Sequence, residues 1–121
     1  MDWQPISELE ILDNIILAEA RMNIEQQRFW NTIKINPKKW QQTTYGDGDE
    51  GNGFWAVAVI GQFVIWFNDI EDGFNVSTYK QYGVIEEYWC NQDKLKWTIQ
   101  SLLDLIHHGY SSPKRGAPQP L

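Results

Sequence analysis

Three carboxylates lie within four residues in the stretch 66–75, which reads WFNDIEDGFN: Asp69, Glu71 and Asp72. Carboxylates this close can act as an acid–base pair, coordinate a metal ion or bind a cationic partner. Asp72-Gly73 is also a common turn pair. A turn is normally solvated, so there is little desolvation to raise the pKa of a carboxyl group, and catalysis is disfavoured. A purely structural turn and a surface for a cationic partner both stay open.

The other residues that could support catalysis are Cys90, His107 and His108. The two histidines stand at the end of a predicted helix, where positive charge is favoured, and far along the chain from Cys90. We therefore expect Cys90 to be a packing residue rather than a nucleophile. Adjacent helical histidines do not share a face and make a poor metal pair. The sequence predicts no catalytic residue, no metal ligand and no cofactor.

The Gly-rich loop that begins at Gly46 is acidic but does not match a known ligand motif. Counted from Asp47 as the first position, an EF-hand needs Gly at the sixth position and Glu at the twelfth, and the chain has Asn52 and Ala58 there. The Gly spacing of a dinucleotide motif is present, but it precedes a strand instead of opening a helix. Only a weak, nonspecific cation site stays open in this loop.

The elements that would position these residues follow an α–β–α order. Ser7 and Glu10 form a capping box that opens a helical region. Asn23 can divide that region into two helices, and Asn36-Pro37 closes it. Apolar residues recur at helical spacing and predict one buried stripe: Leu9, Leu12, Ile15, Ile16 and Ala20.

Four or five strands are predicted next, over 38–42, 54–60, 63–67, 74–79 and 84–90. Their short connections permit hairpins but not parallel crossovers. Asn91 and Asp93 then favour the start of a C-terminal helix. The predicted fold is α+β, with an N-terminal helix or helix pair, an antiparallel β-meander and a C-terminal helix packed on the sheet. We expect one domain over 1–110 and a mobile Pro-rich segment over 111–121.

Negative charge is concentrated in the predicted sheet and its loops. The chain of 121 residues has a net charge of −6, and the region 46–87 holds eight acids and one base, Lys80. Crowded carboxylates repel one another and destabilise the protein. A cationic partner that binds them would explain why they are grouped. Nucleic acid and anionic membrane are excluded as main partners, because both reward clustered Lys and Arg. A single cysteine and the lack of a signal peptide favour the cytoplasm.

Aromatic residues lie in or beside this acidic region. Strand alternation would turn some of them away from the helices, giving aromatic anchors inside a charged rim, as in protein-binding surfaces. Trp66 could equally belong to the core. The predicted partner-binding residues are Asp47, Asp49, Glu50, Asp69, Glu71, Asp72, Glu86, Glu87, Trp66, Tyr79 and Tyr82.

The stretches 53–61, 64–75 and 87–92 resemble a group of small bacterial proteins, and the size and α–β–α order resemble immunity proteins of contact-dependent and other polymorphic toxin systems. The resemblance implies a cytoplasmic protein that binds a secreted toxin domain, often a basic nuclease, and blocks its active site. We therefore expect a non-enzymatic protein with a cognate basic toxin as partner. The alternatives are a general protein-interaction adaptor domain and, ranked last, a small carboxylate- or metal-dependent hydrolase.

Overall fold

Reciprocal caps begin both N-terminal helices. At the first helix, the backbone N–H of Glu10 donates to the Ser7 hydroxyl and the backbone N–H of Ser7 donates to the Glu10 carboxylate, both at 3.1 Å. Asn23 and Gln26 repeat this arrangement at the second helix, with bonds of 2.9 and 2.8 Å. Each cap satisfies N–H groups that the first helical turn leaves free. The predicted division at Asn23 is therefore confirmed.

The computed structural model describes residues 5–42 and 53–108. Its elements are α1 (Glu8–Glu19), α2 (Ile24–Ile33), β1 (Lys34–Gln42), β2 (Phe54–Ile60), β3 (Phe63–Asn68), β4 (Gly73–Thr78), β5 (Val84–Ile85) and α3 (Leu95–His108). The α+β class is confirmed, with two N-terminal helices and a C-terminal helix that packs on a curled sheet. The segment 111–121, predicted to be mobile, lies outside the described residues.

The second helix passes directly into the first strand. α2 ends at Ile33, earlier than the predicted end at Asn36-Pro37, and Pro37 lies inside β1. The register with β2 shifts between Lys34 and Lys38, as at a β-bulge. A bulge tolerates proline because the missing N–H is not needed for the ladder there.

The sheet order is β4-β3-β2-β1-β5. The strands β1 to β4 form the predicted antiparallel meander. β5 instead pairs in parallel with β1, through Gln41 with Val84 and Gln42 with Ile85. The prediction that the short connections exclude parallel pairing is wrong for this pair. The whole meander separates β1 from β5, so no single short connection has to make the crossover.

The residues after β4 cross the sheet on the face opposite the helices; we call 79–93 the crossing segment. Only Val84 and Ile85 of the predicted strand 84–90 are in strand conformation. Beyond them, side chains of β4 hold the backbone. The Ser77 hydroxyl donates to the carbonyl of Glu87 at 2.7 Å, and Asn75 exchanges two hydrogen bonds with the backbone of Asn91. These bonds replace a neighbouring strand.

The outer edge of β4 is bonded to the crossing segment as well. The backbone N–H of Phe74 donates to the carbonyl of Asp93 at 2.8 Å. The backbone N–H of Thr78 donates to the Glu87 carboxylate at 2.7 Å. Both N–H groups belong to the row that points away from β3, so the crossing segment occupies this edge.

Each face of the sheet has its own core. The helices cover one face, and their cluster includes Ile11, Ile15, Trp30, Ile33, Leu95, Ile99, Val57, Ile65 and Phe67. The crossing segment covers the other face, where the buried residues are Trp40, Phe54, Ala56, Val64, Trp66 and Ile85. Burying one large apolar side chain contributes about 1.5–3 kcal/mol to the free energy of unfolding, so both core layers stabilise the fold. The expected open aromatic face does not occur in the described structure.

The first helix turns a different side to the core than its spacing suggested. Ile11 and Ile15 are buried, whereas Leu9, Leu12 and Ile16 are exposed. The predicted buried stripe is therefore correct at Ile15 and wrong at these three residues and at Ala20, which is also exposed. α1 is apolar on two sides, and spacing alone does not show which side meets the sheet. No helix among residues 5–42 and 53–108 is long and apolar enough to cross a bilayer.

Candidate functional site

The turn between β3 and β4 carries the three carboxylates of the sequence motif, and we call residues 69–72 the acidic turn. The buried Asn68 builds it. The Asn68 side-chain oxygen accepts from the backbone N–H of Ile70 at 3.0 Å and of Glu71 at 3.2 Å. Its amide nitrogen donates to the Tyr88 hydroxyl and the Trp89 carbonyl, both at 2.9 Å. Asn68 thereby ties the acidic turn to the crossing segment.

Asp69 fastens the segment before α1 to the acidic turn. Its carboxylate accepts from the backbone N–H of Ile6 at 2.9 Å. The Trp55 indole donates to the carbonyl of the same Ile6, also at 2.9 Å. These two bonds bring the start of α1 beside the turn. Asp69 is therefore a structural residue as well as an acidic one.

The contact between α1 and the acidic turn encloses a hollow of about 420 Å³, which we call the acidic hollow. Four carboxylates line it, from Glu10 and Asp13 on α1 and from Asp69 and Asp72 on the turn. None of the described lining residues is basic. The other lining residues are Ile6, Asn14 and Phe67. The hollow thus combines two apolar lining residues, Ile6 and Phe67, with concentrated negative charge.

A larger cleft of about 980 Å³ adjoins the hollow and separates α1, the acidic turn and the start of α3. Asn14, Phe67 and Asp72 line both spaces, so Asp72 stands between them. The cleft carries mixed charge: its acids are Glu71, Asp72 and Asp93, and its bases are Arg21, Lys94 and Lys96. The strongest negative character therefore lies in the acidic hollow, not in the larger cleft.

The carboxylates of the hollow are spread around it. Among the described residues, no three His, Cys, Asp or Glu side chains are grouped closely enough to hold a metal ion.

Lys39, which lies on β1, interacts electrostatically with Asp69 of the acidic turn. Its ammonium group is 3.4 Å from the Gly53 carbonyl and 4.9 Å from the centre of the Trp55 ring. Partial burial lowers the pKa of Lys39, and attraction to Asp69 opposes this shift. Asp69 is thus partly balanced from within the protein.

Of the four carboxylates in the hollow, the sequence motif pointed to Asp69 and Asp72 and missed Glu10 and Asp13. Glu10 and Asp13 are three residues apart and so share one side of α1. That spacing is visible in the sequence. The packing of α1 beside the β3–β4 turn is a tertiary contact, and the local sequence does not indicate it.

The aromatic residues of the predicted site lie apart from the hollow. Trp66 is 0% exposed and its indole donates to the Ser77 hydroxyl, so it belongs to the second core and cannot contact a partner. Tyr79 is half-buried against Trp40, and its hydroxyl donates to the Gly61 carbonyl at 2.8 Å. Tyr82 is exposed and stacks at a tilt on Trp40. The expected aromatic centre is thus largely core.

The remaining predicted acids divide into three cases. Glu86 is exposed on the crossing segment. Glu87 is used within the protein, because its carboxylate accepts the backbone N–H of Thr78. The loop acids Asp47, Asp49 and Glu50 lie outside the described residues. The structure therefore brings together Asp69 and Asp72 in the hollow, and Glu71 and Asp72 in the cleft.

The candidate nucleophile and the histidines belong to different elements. Cys90 is a free, exposed thiol on the crossing segment, so the expectation that it is a packing residue is wrong. His107 lies in the last turn of α3, where its imidazole nitrogen is 3.5 Å from the Glu25 carboxylate of α2. This contact links two helices, which is a structural role for His107.

No protein-family model, curated protein or solved structure matches this chain.

Proposed function

We propose that this protein is a non-enzymatic immunity protein that binds a basic toxin domain, with the acidic hollow receiving a Lys or Arg side chain of the toxin. The observation that carries the proposal is the lining of the hollow. Four acidic residues and two apolar residues line it, with no basic residue among the described lining residues. Such a site is complementary to one kind of group, an alkyl chain that ends in a positive charge.

The shape and charge of the hollow support this assignment in detail. The aliphatic part of a Lys or Arg would pack on Ile6 and Phe67, the two apolar residues that line the hollow. The cationic end would form charge-assisted hydrogen bonds with Asp13 and Asp72, both of which are exposed. Asp69 contributes charge while keeping its bond to the backbone of Ile6.

The proposal also explains how neutralisation would work. A nuclease binds phosphates with Lys and Arg, and carboxylates placed on those cations would exclude the substrate. The acidic surface would speed association with the basic toxin through long-range attraction. Such a protein would act in the cytoplasm of the cell that produces the toxin.

The test uses, as the candidate toxin, the C-terminal domain of any secreted protein that is found encoded directly upstream of this chain. We expect a complex whose association rate falls markedly from low to physiological salt. We expect the Asp13→Asn and Asp72→Asn double variant to bind about tenfold more weakly, since an ion pair of an exposed carboxylate contributes up to about 1 kcal/mol and two such pairs are lost. Asn also tolerates the positive φ of 60° at Asp72.

The sequence predicted Glu86 as a partner contact, but Glu86 lies outside the hollow that the proposal assigns, so Glu86→Gln serves as the control that removes one exposed charge elsewhere. It should leave affinity within about twofold and change the rate only slightly. A complex that is insensitive to both salt and the double variant would instead support a general adaptor domain. Failure to bind the neighbouring domain at all would refute the immunity assignment.

A further inference from the structure

A row of apolar side chains on α1 faces away from the core. Leu9, Leu12 and Ile16 are 70%, 37% and 61% exposed, and Leu17 is 65% exposed. Leu9, Leu12 and Ile16 follow the spacing i, i+3, i+7, which places them along one side of the helix. Single exposed apolar residues are ordinary, whereas a contiguous row marks an interaction surface. We call these four residues the α1 stripe.

The stripe continues into the spaces already described. Leu17 lines the large cleft, and Glu10 and Asp13, which lie on the neighbouring side of α1, line the acidic hollow. An occupant of the stripe would therefore extend to the carboxylates of the hollow. The stripe supplies the apolar contact area that the buried Trp66 cannot supply.

The charge beside the stripe restricts what can cover it. α1 contains four carboxylates, Glu8, Glu10, Asp13 and Glu19, and no basic residue. Glu19 accepts from the Trp30 indole at 2.7 Å and lies 3.6 Å from the Lys34 ammonium. No described Lys or Arg forms an ion pair with the other three. The stripe is thus flanked by carboxylates that lack a cationic partner in the described structure.

A second copy of α1 would bring the same three carboxylates against the first set, and like charges in such contacts are repulsive. An anionic membrane surface is unfavourable for the same reason. We infer that the α1 stripe docks a basic amphipathic helix of the partner protein. Apolar residues of that helix would pack on Leu9, Leu12 and Ile16, and its Lys or Arg residues would pair with Glu10 and Asp13. This inference rests on the proposed function and names the recognition element of the partner.

The first experiment measures binding of a labelled synthetic peptide by fluorescence anisotropy. The probe is a Leu/Lys amphipathic helix of 12 residues, the length of α1, and its counterpart replaces every Lys with Glu. We expect the Leu/Lys peptide to bind and the Leu/Glu peptide not to bind. The double variant Leu9→Gln, Ile16→Gln should weaken binding about tenfold or more, because both side chains lose apolar contact.

Ile106→Gln is the matched control, since Ile106 is 56% exposed on α3, outside the stripe. It should leave peptide affinity within about twofold. All three substituted residues are exposed, so thermal unfolding should confirm intact folding of each variant. Equal binding of the Leu/Lys peptide by the wild type and the double variant would overturn the inference.

Two further results would also overturn it. A concentration-dependent dimer that the Leu9→Gln, Ile16→Gln variant abolishes would show that a second copy covers the stripe. Much tighter peptide binding by the full chain with Lys114→Gln and Arg115→Gln would show that the chain's own basic C-terminal segment covers it.

The neighbouring toxin domain separates this inference from the proposed function. Loss of toxin affinity in Asp13→Asn, Asp72→Asn and also in Leu9→Gln, Ile16→Gln would support both. Loss in the first variant alone would overturn the helix-docking inference and retain the acidic hollow. No loss in either variant would overturn both assignments.

Discussion

Lys39 is a half-buried cation beside the acidic turn, and its environment disfavours the charged form of its side chain. Burial lowers the pKa of Lys39, and the attraction of Asp69 only partly offsets that effect. The Gly53 carbonyl and the face of Trp55 give it weak compensating contacts. The unfolded chain therefore holds this proton more tightly than the folded protein does.

This difference predicts how stability depends on pH. The folded pKa of Lys39 lies below its usual 10.5, so the cost of burying the charge is present at neutral pH and disappears as the pH rises toward 10.5. We expect the unfolding free energy of wild type, relative to that of Lys39→Met, to increase over this range. The change should stay below about 1 kcal/mol, because solvent still screens a half-exposed group.

Urea unfolding at a series of pH values measures the effect. Lys38→Met is the control, since Lys38 is the exposed neighbour of Lys39 on β1. It should keep the pH dependence of the wild type. Parallel curves for wild type and Lys39→Met would show that burial of Lys39 does not contribute.

At the residue level, the sequence indicated the β3–β4 turn but not Asn68, the residue whose side chain stabilises it. Asp72-Gly73 correctly predicted a turn between two strands. Asn68 makes four hydrogen bonds there. Its two bonds to turn N–H groups follow an Asx pattern that the sequence could have suggested. Its two bonds to Tyr88 and Trp89 join distant parts of the chain, and local sequence cannot indicate them.

At the scale of elements, the crossing segment lies directly against the start of β4. A methyl group on Gly73 would come within 2.3 Å of the Gln92 Cα atom and 2.4 Å of the Asn91 carbonyl oxygen. Both atoms belong to the backbone, so they cannot rotate away. Gly61, in the β2–β3 turn, has a φ of +56° and open space around it.

We therefore expect different costs for two equivalent substitutions. Gly73→Ala should destabilise the protein by about 3 kcal/mol or more, because the crossing segment must move and its bond to Phe74 must break. Gly61→Ala should cost about 1 kcal/mol, from the left-handed backbone alone. Chemical denaturation of both variants gives the comparison. Equal losses would mean that the crossing segment does not pack closely on Gly73.

The elements with strong local signals were predicted well. β2 and β3 are apolar segments bounded by glycine and turn residues, and their observed limits are Phe54–Ile60 and Phe63–Asn68. The crossing segment and the orientation of α1 were not predicted. Tyr88 and Trp89 look like strand residues, yet they pack on the second core from irregular backbone. Which side of α1 is buried depends on long-range packing, for which two apolar sides give no preference.

At the scale of the whole molecule, the described residues concentrate negative charge where α1 meets the acidic turn. Glu10, Asp13, Asp69 and Asp72 line one hollow, while the cations of the cleft lie along the first residues of α3 and at Arg21. Repulsion among these carboxylates opposes folding of the free protein. A binding site that is unfavourable without its partner is a common compromise between stability and function.

The repulsion can be measured without the partner. Asp13→Asn should raise the unfolding free energy by a few tenths of a kcal/mol at low salt, and the gain should shrink at physiological salt as screening increases. Glu86→Gln, which removes a charge outside the hollow, should change stability less. Denaturation of wild type and both variants at two salt concentrations makes the comparison. A loss of stability in Asp13→Asn would indicate that Asp13 has a favourable structural contact instead.

The bonded edge of β4 also limits how the molecule can associate. Exposed strand edges recruit further strands, both in β-augmentation by partner peptides and in aggregation. Here Asp93 and Glu87 already satisfy the N–H groups of Phe74 and Thr78. An incoming strand would have to displace the crossing segment and uncover the second core. Strand addition at this edge is therefore disfavoured.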